Sequence, residues 1–416
     1  MKVAVIGAGV IGITTAYELA ALGHEVSVFE KRGAAAEECS FANAGVASTG
    51  YAFPWAQPGM VKHVLTHLWK RDSPLRIANP SLKEWQWLWQ WRKACGEKTF
   101  ALNRERMLRL AMYSDQRRRS LSANLGLEHE RQNGLMVLLR TESEKNRMQT
   151  TLQAMRDAGI SYNPLNAEEA RNIEPALKAE TSLAQAIYFP DDEVSNCRQF
   201  TLLLKNKAEA LGVQFHFNSP IAPLSRANPK TIRRTNSKQS EHFDAVVVSA
   251  GLASAALTKP LGLRIPLAAV HGYAISAPVR EPLDAPRSGV VDERYKVAIT
   301  RLGQRIRITG GSEIGGDASR HQPASLQTLY RVLDDWFPGA ARTQENVQVW
   351  KGARPMLPDG PPLLGPSGIS GVWLNLGHGA SGWTLACGSA RVIANQIAGQ
   401  PSDIDLQGLG LERLSR

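Results

Sequence analysis

The sequence has few cysteines and no long apolar segment. Among its 416 residues only four are cysteines, and they are far apart with no C-x-x-C pair: Cys39, Cys95, Cys197 and Cys387. This spacing excludes a disulfide framework and a cysteine-based zinc site, and it is typical of a reducing compartment. No run of 18 apolar residues occurs, so the sequence predicts no transmembrane helix. Internal repeats and low-complexity tracts are also lacking, which favours an ordinary globular chain.

Acidic residues are fewer than basic ones, 38 against 49, which gives a formal net charge of +11. Such a balance suits nucleic acid, an anionic membrane surface or an acidic substrate. The charge is dispersed and no nucleic-acid-binding motif is present, so nucleic acid is not an expected partner. The densest run, residues 117–119, falls on a helix predicted over roughly 100–125 and is interpreted as a solvated face. His63 and His67 are four residues apart, but no glutamate follows His63, and no metal site is predicted.

A glycine-rich stretch, KVAVIGAGVIGITTAYELAALGHEVSVFE, predicts a dinucleotide site. Residues 3–6 form an apolar run typical of a strand buried on both faces of a parallel sheet, which explains the run better than a secretory signal does. Gly7, Gly9 and Gly12 then permit a tight turn, a close approach to a pyrophosphate and close packing of the next helix. A second strand ends at Glu30, whose carboxylate can accept hydrogen bonds from ribose hydroxyls and would repel a 2′-phosphate. NAD and FAD both fit this pattern, whereas NADP does not.

Two later segments have the pattern of the same α/β unit. Residues 199–211 predict a helix, and the strand after it ends near Ile221. Residues 243–251 predict another buried strand that ends in Ala250 and Gly251, where small residues let the backbone pass close to a ligand. The nucleotide-binding region is therefore expected to be discontinuous along the chain.

The segment VWLNLGHGASGWTLACGSARVIANQIAG predicts a strand, a glycine-rich turn and a helix. The helix is expected over about 383–397, with Ser381 as its N-cap. A helix N-terminus carries partial positive charge, which would stabilise the negative charge of a reduced flavin. Taken alone, the turn could equally be a second phosphate loop.

Several blocks together resemble the FAD-dependent D-amino acid oxidase and glycine oxidase superfamily, and within it the bacterial D-amino acid dehydrogenases (small subunit). The blocks follow one another along nearly the whole chain: the N-terminal glycine motif, SFANAGVASTGYAFPWAQPG, PDDEVSNCRQF, HGY, DERYKVAITR, GARPMLPDG and GHGASGWTLACGS. The resemblance implies FAD rather than NAD.

The fold that the resemblance implies is of the α/β class. It combines a Rossmann-like FAD-binding domain of the glutathione-reductase type with a discontinuous α+β substrate domain on a mixed or antiparallel sheet. The expected FAD-binding ranges are 1–80, 195–262 and 345–416. The expected substrate-binding ranges are 81–194 and 263–344.

The resemblance also implies roles for particular residues. Arg354 maps onto an arginine that binds the substrate carboxylate, for which the planar guanidinium is well suited. Tyr295 maps onto a pocket tyrosine, and Tyr273 and His271 lie on a nearby strand. The alternatives from the residues alone are a structural ion pair for Arg354 and a packed core position for Tyr295. The expected cofactor contacts are Gly7, Gly9, Gly12, Glu30, Lys31, Asn43, Ala44, Gly45, Ile221, Ala250, Gly251, Gly377, His378, Gly379, Ala380, Gly382, Trp383 and Thr384.

The implied reaction is oxidative deamination of D-amino acids by hydride transfer from Cα to flavin N5, giving 2-oxo acids and ammonia. The electrons would pass to a quinone or another acceptor. Two alternatives stay open: oxidation of secondary amino acids such as D-proline, hydroxy-D-proline, sarcosine or an opine, and a flavin-bearing subunit that needs a partner chain.

The segment EWQWLWQWRK, residues 84–93, combines four tryptophans with basic residues. Tryptophan and cationic side chains suit a lipid–water interface, so peripheral membrane contact is one interpretation. An aromatic patch packed inside the protein is the other. The expected location is the cytoplasm, or the cytoplasmic face of the inner membrane.

Overall fold

The structure, a computed structural model, describes residues 1–67, 73–237 and 239–415; the side chains of His63 and His67 lie outside the described part. The helices are α1 (Val10–Ala21), α2 (Met60–His67), α3 (Leu82–Ala94), α4 (Glu97–Leu125), α5 (Glu142–Asp157), α6 (Ala167–Ile173), α7 (Cys197–Ala210), α8 (Ala253–Thr258), α9 (Pro323–Trp336) and α10 (Gly382–Ile397). Short 3-10 helices lie at Lys259–Leu261, Pro282–Asp284, Gly379–Ser381 and Leu411–Ser415.

The strands are β1 (Lys2–Ile6), β2 (Glu25–Phe29), β3 (Val46–Ala47), β4 (Leu75–Ala78), β5 (Gln132–Leu139), β6 (Asn163–Leu165), β7 (Gln185–Val194), β8 (Gln214–His216), β9 (Thr231–Arg233), β10 (Ser240–His242), β11 (Ala245–Val248), β12 (Ala268–Pro278), β13 (Gly289–Asp292), β14 (Val297–Leu302), β15 (Arg305–Gly315), β16 (Gln348–Met356), β17 (Leu363–Pro366) and β18 (Val372–Leu376).

The first sheet has six strands in the order β17-β18-β11-β1-β2-β8. All its neighbouring strands run parallel except β17 and β18. Val5 lies between Val28 and Val247 at the centre, and all three are fully buried. Helices α1, α4, α7 and α10 cover one face, while α8 and the segment around β9 cover the other. Burial on both faces explains the continuous apolar runs from which these strands were predicted.

Helix α4 overturns one expectation from the charge pattern. The prediction that residues 117–119 form a solvated face is correct for Arg119, which is 43% exposed. It was wrong for Arg117 and Arg118, because α4 packs against α10 and the core of the first sheet. Arg118 is 1% exposed and pairs with Glu193. Arg117 donates from Nε to the buried Glu18 carboxylate at 2.6 Å. Buried carboxylates therefore neutralise this part of the positive charge.

The second sheet has ten strands in a mixed arrangement. Its main order is β16-β12-β15-β14-β13-β5-β7-β3, with β4 added to β15 and β6 to β7. Most neighbours are antiparallel, but β13 is parallel to β5 and β15 is parallel to β4. One face packs against α9 through Trp336 and a layer of isoleucines. The other face borders a cavity, described below. The two sheets confirm the predicted fold class.

The predicted domain ranges stay a prediction, and four elements connect across them. Strands β3, β4 and β16 come from ranges assigned to the FAD-binding domain, but they belong to the ten-stranded sheet. Helix α4, from a range assigned to the substrate domain, packs against the six-stranded sheet. The regions are therefore tightly interleaved around the cavity.

Helix α3 carries the four tryptophans of residues 84–93 on opposite faces. Trp87 and Trp91 are 3% and 4% exposed, and both rings contact Trp55. Trp85 and Trp89 are each 56% exposed. The interpretation as a packed patch is thus correct for one face of the helix. Within the described ranges, none of the helices is long and apolar enough to cross a membrane.

Candidate active site

A cavity of about 700 Å³ lies where the carboxyl ends of the parallel strands meet the open face of the ten-stranded sheet. The structure brings most of the sequence-predicted site residues to it, although they come from distant parts of the chain. These lining residues are Gly7, Gly9, Glu30, Lys31, Asn43, Ala44, Gly45, Ile221, Ala250, Gly251, Tyr273, Arg354, Gly377, His378, Gly379, Ala380, Gly382, Trp383 and Thr384.

The first glycine turn is shaped by close backbone contacts. Gly7 has a φ of +107°, and a Cβ atom there would lie 2.6 Å from the carbonyl oxygen of Ser249. A Cβ atom at Gly12 would lie 1.8 Å from the Gly7 carbonyl oxygen. Gly12 itself does not line the cavity; its place in the motif is to let helix α1 pack closely against the strand.

Glu30 lies at the end of β2, where its carboxylate organises the turn. One oxygen accepts a hydrogen bond from the Ala8 N–H at 2.8 Å, and the other accepts from the Arg32 N–H at 2.9 Å. The side chain is mostly buried yet lines the cavity. Lys31, next to it, pairs with Glu38 at 3.0 Å on the more exposed side.

The N-terminus of helix α1 lines this end of the cavity through Gly9, Val10 and Ile11. Gly9 occupies the N-cap position without a side-chain cap, and the first turn has no acidic residue. Ser40 accepts a hydrogen bond from the Val10 N–H at 3.0 Å. Ser40 was not singled out in the sequence, although it lies in the SFANAG block.

The loop at residues 43–45 crosses the middle of the cavity. Asn43 accepts a hydrogen bond from the Gly45 N–H at 3.1 Å, which closes a small turn. The Gly45 carbonyl accepts from Ser195 at 2.8 Å, and a Cβ atom at Gly45 would approach the Ser195 carbonyl to 2.7 Å. The contacts with Ser195 therefore hold the loop in place, and residues 43–45 line the cavity.

The second glycine turn precedes helix α10. Residues 379–381 form one 3-10 turn, and the helix begins at Gly382 without a side-chain cap or an acidic residue in its first turn. Ser381 occupies the N-cap position as predicted, but its side chain makes no capping hydrogen bond. His378 bonds through Nε2 to Ser389 at 3.0 Å, and burial lowers its pKa to about 3. A neutral imidazole therefore fastens the turn to the helix.

These features fit an FAD molecule. Two helix N-termini with no acidic residue in their first turns suit the negative charges of a pyrophosphate and of a reduced flavin. The bare surfaces of Gly7 and Gly9 admit a close approach of phosphate, and the Glu30 carboxylate can accept from ribose hydroxyls. The cavity is continuous from these groups to Arg354.

Arg354 is a cation without a counterion among the described residues. It lies on β16, and Nη1 donates to the Gly311 carbonyl at 3.0 Å and to Ser312 Oγ at 3.3 Å. Burial lowers the pKa of the guanidinium, and Cys39 is the one neighbouring group that raises it. The alternative interpretation as a structural ion pair therefore finds no partner in the described part of the chain. The rest of the guanidinium faces the cavity.

Tyr273 forms part of the cavity wall and belongs to a buried polar cluster. Its hydroxyl donates to Glu313, and Lys351 donates to the same carboxylate at 3.0 Å. The side chains of Lys351 and Glu313 are 2% and 1% exposed. The cluster fixes the tyrosine ring, and its hydroxyl is engaged away from Arg354.

Two of the predicted substrate residues do not line the cavity. His271 is buried, and its Nδ1 has no hydrogen-bond partner among the residues that the structure describes. Tyr295 lies in the turn before β14, where its ring is covered by Arg140 at 5.2 Å and Arg331 at 4.6 Å. The structure thus supports the packed alternative for Tyr295 and places neither side chain where a ligand in the cavity would meet it.

Two carboxylates that sequence analysis did not identify hold the loop after β3 at the cavity edge. Asp192 accepts hydrogen bonds from Ser48 and from the Thr49 N–H, the latter at 3.1 Å. Glu293 accepts from the Tyr51 hydroxyl at 2.7 Å. Both acids lie in blocks quoted above, PDDEVSNCRQF and DERYKVAITR, but nothing local distinguishes them from surface acids.

The fold and the site define a class of protein. A parallel sheet with a glycine-rich dinucleotide turn, joined to a substrate cavity with an unpaired arginine, is the arrangement of a dinucleotide-dependent oxidoreductase. The chain belongs to the DAO family of FAD-dependent oxidoreductases, which matches residues 2–396.

Curated relatives cover almost the whole chain. A protein of Rhodopseudomonas palustris (strain HaA2) named D-amino acid dehydrogenase is 39% identical over 99% of this chain and 98% of its own length. A protein of the same name from Cereibacter sphaeroides (strain ATCC 17029 / ATH 2.4.9) is 40% identical over 99% of this chain and 95% of its own length.

Solved structures share the fold at lower identity. Glycine oxidase from Geobacillus kaustophilus superimposes with a TM-score of 0.78 at 22% identity, covering 98% of this chain and 97% of that chain. Iminodiacetate oxidase from Chelativorans sp. BNC1 gives a TM-score of 0.73 at 19% identity, covering 98% of both chains. These likenesses confirm the architecture of both sheets.

Proposed function

We propose that this chain is an FAD-dependent dehydrogenase of D-amino acids. The substrate loses a hydride from Cα and a proton from nitrogen, and the resulting imino acid is hydrolysed to a 2-oxo acid and ammonia. Bound FAD would supply the hydride acceptor, and the two electrons would then reach a quinone or another acceptor. The relatives named D-amino acid dehydrogenase and the chemistry of Arg354 support this proposal.

The observation that carries the proposal is the uncompensated charge of Arg354. A half-buried guanidinium that has no counterion among the described residues is unfavourable, so the site is arranged for an anionic ligand. An α-carboxylate matches the guanidinium fork and forms two charge-assisted hydrogen bonds. Gly311 and Ser312 hold one edge of the arginine, which leaves donors available to the substrate. Arg354 is thus assigned the role of binding and orienting the amino acid.

The cofactor contacts follow from the same geometry. The N-terminus of α1, with Gly7 and Gly9, would hold the pyrophosphate, and Glu30 would bind a ribose. The N-terminus of α10, at Gly382, would lie near the flavin ring and stabilise negative charge there. Backbone carbonyls of the turn at residues 379–380 would accept hydrogens of the substrate amine. No side-chain base is needed if the amine binds in its neutral form.

The test is anaerobic reduction of the purified flavoprotein, followed through loss of its visible flavin absorbance. The panel comprises D-amino acids, their L-isomers, glycine, sarcosine and D-hydroxyproline. Rapid bleaching by several D-amino acids, with slow reoxidation in air and fast reoxidation by a soluble quinone, is expected. Bleaching confined to secondary amines would move the assignment to those substrates. No bleaching with any compound would contradict the proposal and direct attention to a partner chain.

The role of Arg354 is tested by Arg354→Gln and Arg354→Lys. Loss of a bidentate charged contact costs about 2–3 kcal/mol or more, so the apparent Kd for D-alanine should rise by roughly a hundredfold in Arg354→Gln. Arg354→Lys keeps the charge, so its Kd should lie between those of the native protein and Arg354→Gln. Arg305→Gln is the control, since Arg305 is on the same sheet but bonds to Ser276. Equal Kd values for Arg354→Gln and the native protein would contradict the assignment.

We also propose that helix α3 contacts an anionic membrane surface. Leu82, Trp85 and Trp89 are three and four residues apart, so they share one face, and they are 83%, 56% and 56% exposed. Lys93 lies 3.5 Å from the centre of the Trp89 ring, and Arg92 is exposed beside it. Exposed tryptophans flanked by cations suit the headgroup region of a bilayer. Such a position would give access to a membrane quinone.

Vesicle binding tests the membrane contact. The double change Trp85→Ser and Trp89→Ser should abolish cosedimentation with vesicles rich in anionic lipid while leaving D-amino acid reduction of the flavin unchanged. Leu283→Ser provides the control, because Leu283 is 80% exposed and lies in a different region. Equal binding of the double variant and the native protein, or no binding of either, would contradict the contact.

A further inference from the structure

The cavity continues beyond Arg354 across the face of the ten-stranded sheet. Four residues lie directly opposite one another on β12, β15, β14 and β13, namely Ala274, Thr309, Ala298 and Val291. All four line the cavity. Neighbouring strands are about 4.8 Å apart, so the row spans roughly 14 Å. Its small side chains leave open space above the sheet.

This row starts close to the arginine. The Arg354 guanidinium bonds to the Gly311 carbonyl, and Thr309 is two residues earlier on the same strand. Two residues of a strand span about 7 Å. A carboxylate held by Arg354 therefore leaves the remainder of an amino acid beside Thr309 and Ala298.

One face of helix α5 forms the opposite wall. Met148, Thr151 and Met155 line the cavity at the spacing of residues that share a helix face. Met155 belongs to the same apolar cluster as Ala298 and Val291. Methionine side chains are flexible and polarizable, so they adapt to apolar groups of different shapes.

The charged residues at this end neutralise one another. Lys296 and Glu293 form a salt bridge, and the Tyr51 hydroxyl donates to the other oxygen of Glu293 at 2.7 Å. A charged substrate side chain would have to compete with these contacts. The surroundings of Ala298 therefore favour an apolar group.

We propose that the space between this row and helix α5, here called the side-chain compartment, receives the substrate side chain and selects bulky apolar D-amino acids. Branched, thioether and aromatic side chains fit its walls, whereas a methyl group leaves it mostly unfilled. Ala298 and Thr151 determine specificity by leaving the compartment open. This inference rests on the proposed function, because it takes Arg354 as the anchor of the carboxylate.

Adjacent threonines on α5 allow a matched test. Thr151→Trp fills the side-chain compartment from one wall, while Thr150→Trp adds the same bulk on the exposed side of the helix. Flavin reduction is measured anaerobically with D-methionine, D-phenylalanine and D-alanine. We expect Thr151→Trp to lower the second-order rate constant of reduction at least about tenfold for the two bulky substrates and less than about twofold for D-alanine. Thr150→Trp should leave all three rate constants unchanged.

A second variant fills the side-chain compartment from the side of the sheet. Ala298→Leu should lower the rate constant of flavin reduction selectively for the bulky substrates, and it serves as the test if Thr151→Trp does not fold. An equal loss for D-alanine and the bulky substrates in both variants would overturn the inference. So would normal reduction with slower reoxidation by a soluble quinone, since the compartment would then belong to the electron acceptor. If the native protein is bleached by no D-amino acid, the proposed function fails as well.

Discussion

The guanidinium of Arg354 lies across the bare backbone of Gly272 on the neighbouring strand. A Cβ atom at Gly272 would lie 2.2 Å from Nη2 of Arg354 and 2.5 Å from Cζ. Gly272 is paired with Gly352, so the two strands have no side chains where the arginine crosses them. The position of the carboxylate-binding group in the proposed function thus depends on a glycine of β12, the strand next to that of Ser312.

Gly272→Ala is expected to displace the arginine rather than unfold the protein. The added methyl group must push the end of a long side chain aside, which rotates the guanidinium away from its contact with Gly311. We expect KM for D-amino acids to rise by about tenfold or more, since misplaced binding groups lose catalytic alignment. FAD content should be unchanged. Steady-state kinetics and the flavin spectrum measure the two effects.

The control for this variant is Gly33→Ala. A Cβ atom at Gly33 would have ordinary contact, with Asn218 at 3.7 Å. Unchanged KM in Gly272→Ala, with a normal flavin spectrum, would show that Arg354 does not need the bare strand.

Glu30→Ala is expected to weaken FAD binding. The change removes a carboxylate that would bind a ribose, and it leaves the Ala8 N–H without its acceptor. The lost ligand contact costs about 1–3 kcal/mol, so Kd for FAD should rise by roughly tenfold to a hundredfold, whereas the unpaired Ala8 donor lowers the stability of the protein with or without FAD. Fluorescence titration of the apoprotein measures it. Glu25→Ala, at the exposed start of the same strand, is the control, and equal Kd values for the two variants would contradict the role of Glu30.

Local patterns in the sequence were sufficient for the nucleotide turn and its strands. Gly12 is required by its contact with Gly7 inside one turn, Gly7 has a positive φ in that turn, and the apolar strands follow from burial on both faces. Arg118 could not be predicted in the same way. Its counterion Glu193 comes from a distant strand, and a basic triplet has the same local appearance whether it faces water or a buried acid.

The substrate side of the cavity shows a second limit of local patterns. His271 and Tyr273 lie on one face of β12, which pairs with β16 without a shift, and the Tyr273 ring belongs to the cluster that packs against α9. The pairing of β12 with β15 shifts between these two residues because β15 has one extra residue there. Tyr273 lines the cavity, while His271 does not. Irregular pairing of this kind depends on the partner strand, where Gly310 and Gly311 follow one another, and the HGY block alone does not reveal it.

The buried pair of Lys351 and Glu313 predicts that removing the lysine alone lowers the stability more than removing both charges. Lys351→Met leaves an uncompensated buried carboxylate and should lower the free energy of unfolding by about 3–5 kcal/mol. Adding Glu313→Gln removes that charge, so the double variant should recover part of the loss. Denaturant unfolding of the native protein, the two single variants and the double variant measures the coupling between the two residues. Lys145→Met is the control, because its pair with Glu142 is largely exposed, and an equal effect there would contradict the argument.

Asp192 predicts a dependence of stability on pH. Burial raises the pKa of this carboxyl from 3.8 to about 6, against the hydrogen bonds from Ser48 and Thr49 that lower it. Because the folded state binds the proton more tightly, the stabilisation is complete below about pH 3.8 and is lost as the pH rises through about 6. Asp192→Asn cannot titrate. Between pH 4 and 6 the stability of the native protein should therefore fall relative to that variant, by at most about 3 kcal/mol. Denaturant midpoints of both proteins across this window measure the difference. A difference that stays constant or rises with pH would show that Asp192 is already ionised at the low end, and that its contacts with Ser48 and Thr49 outweigh its burial.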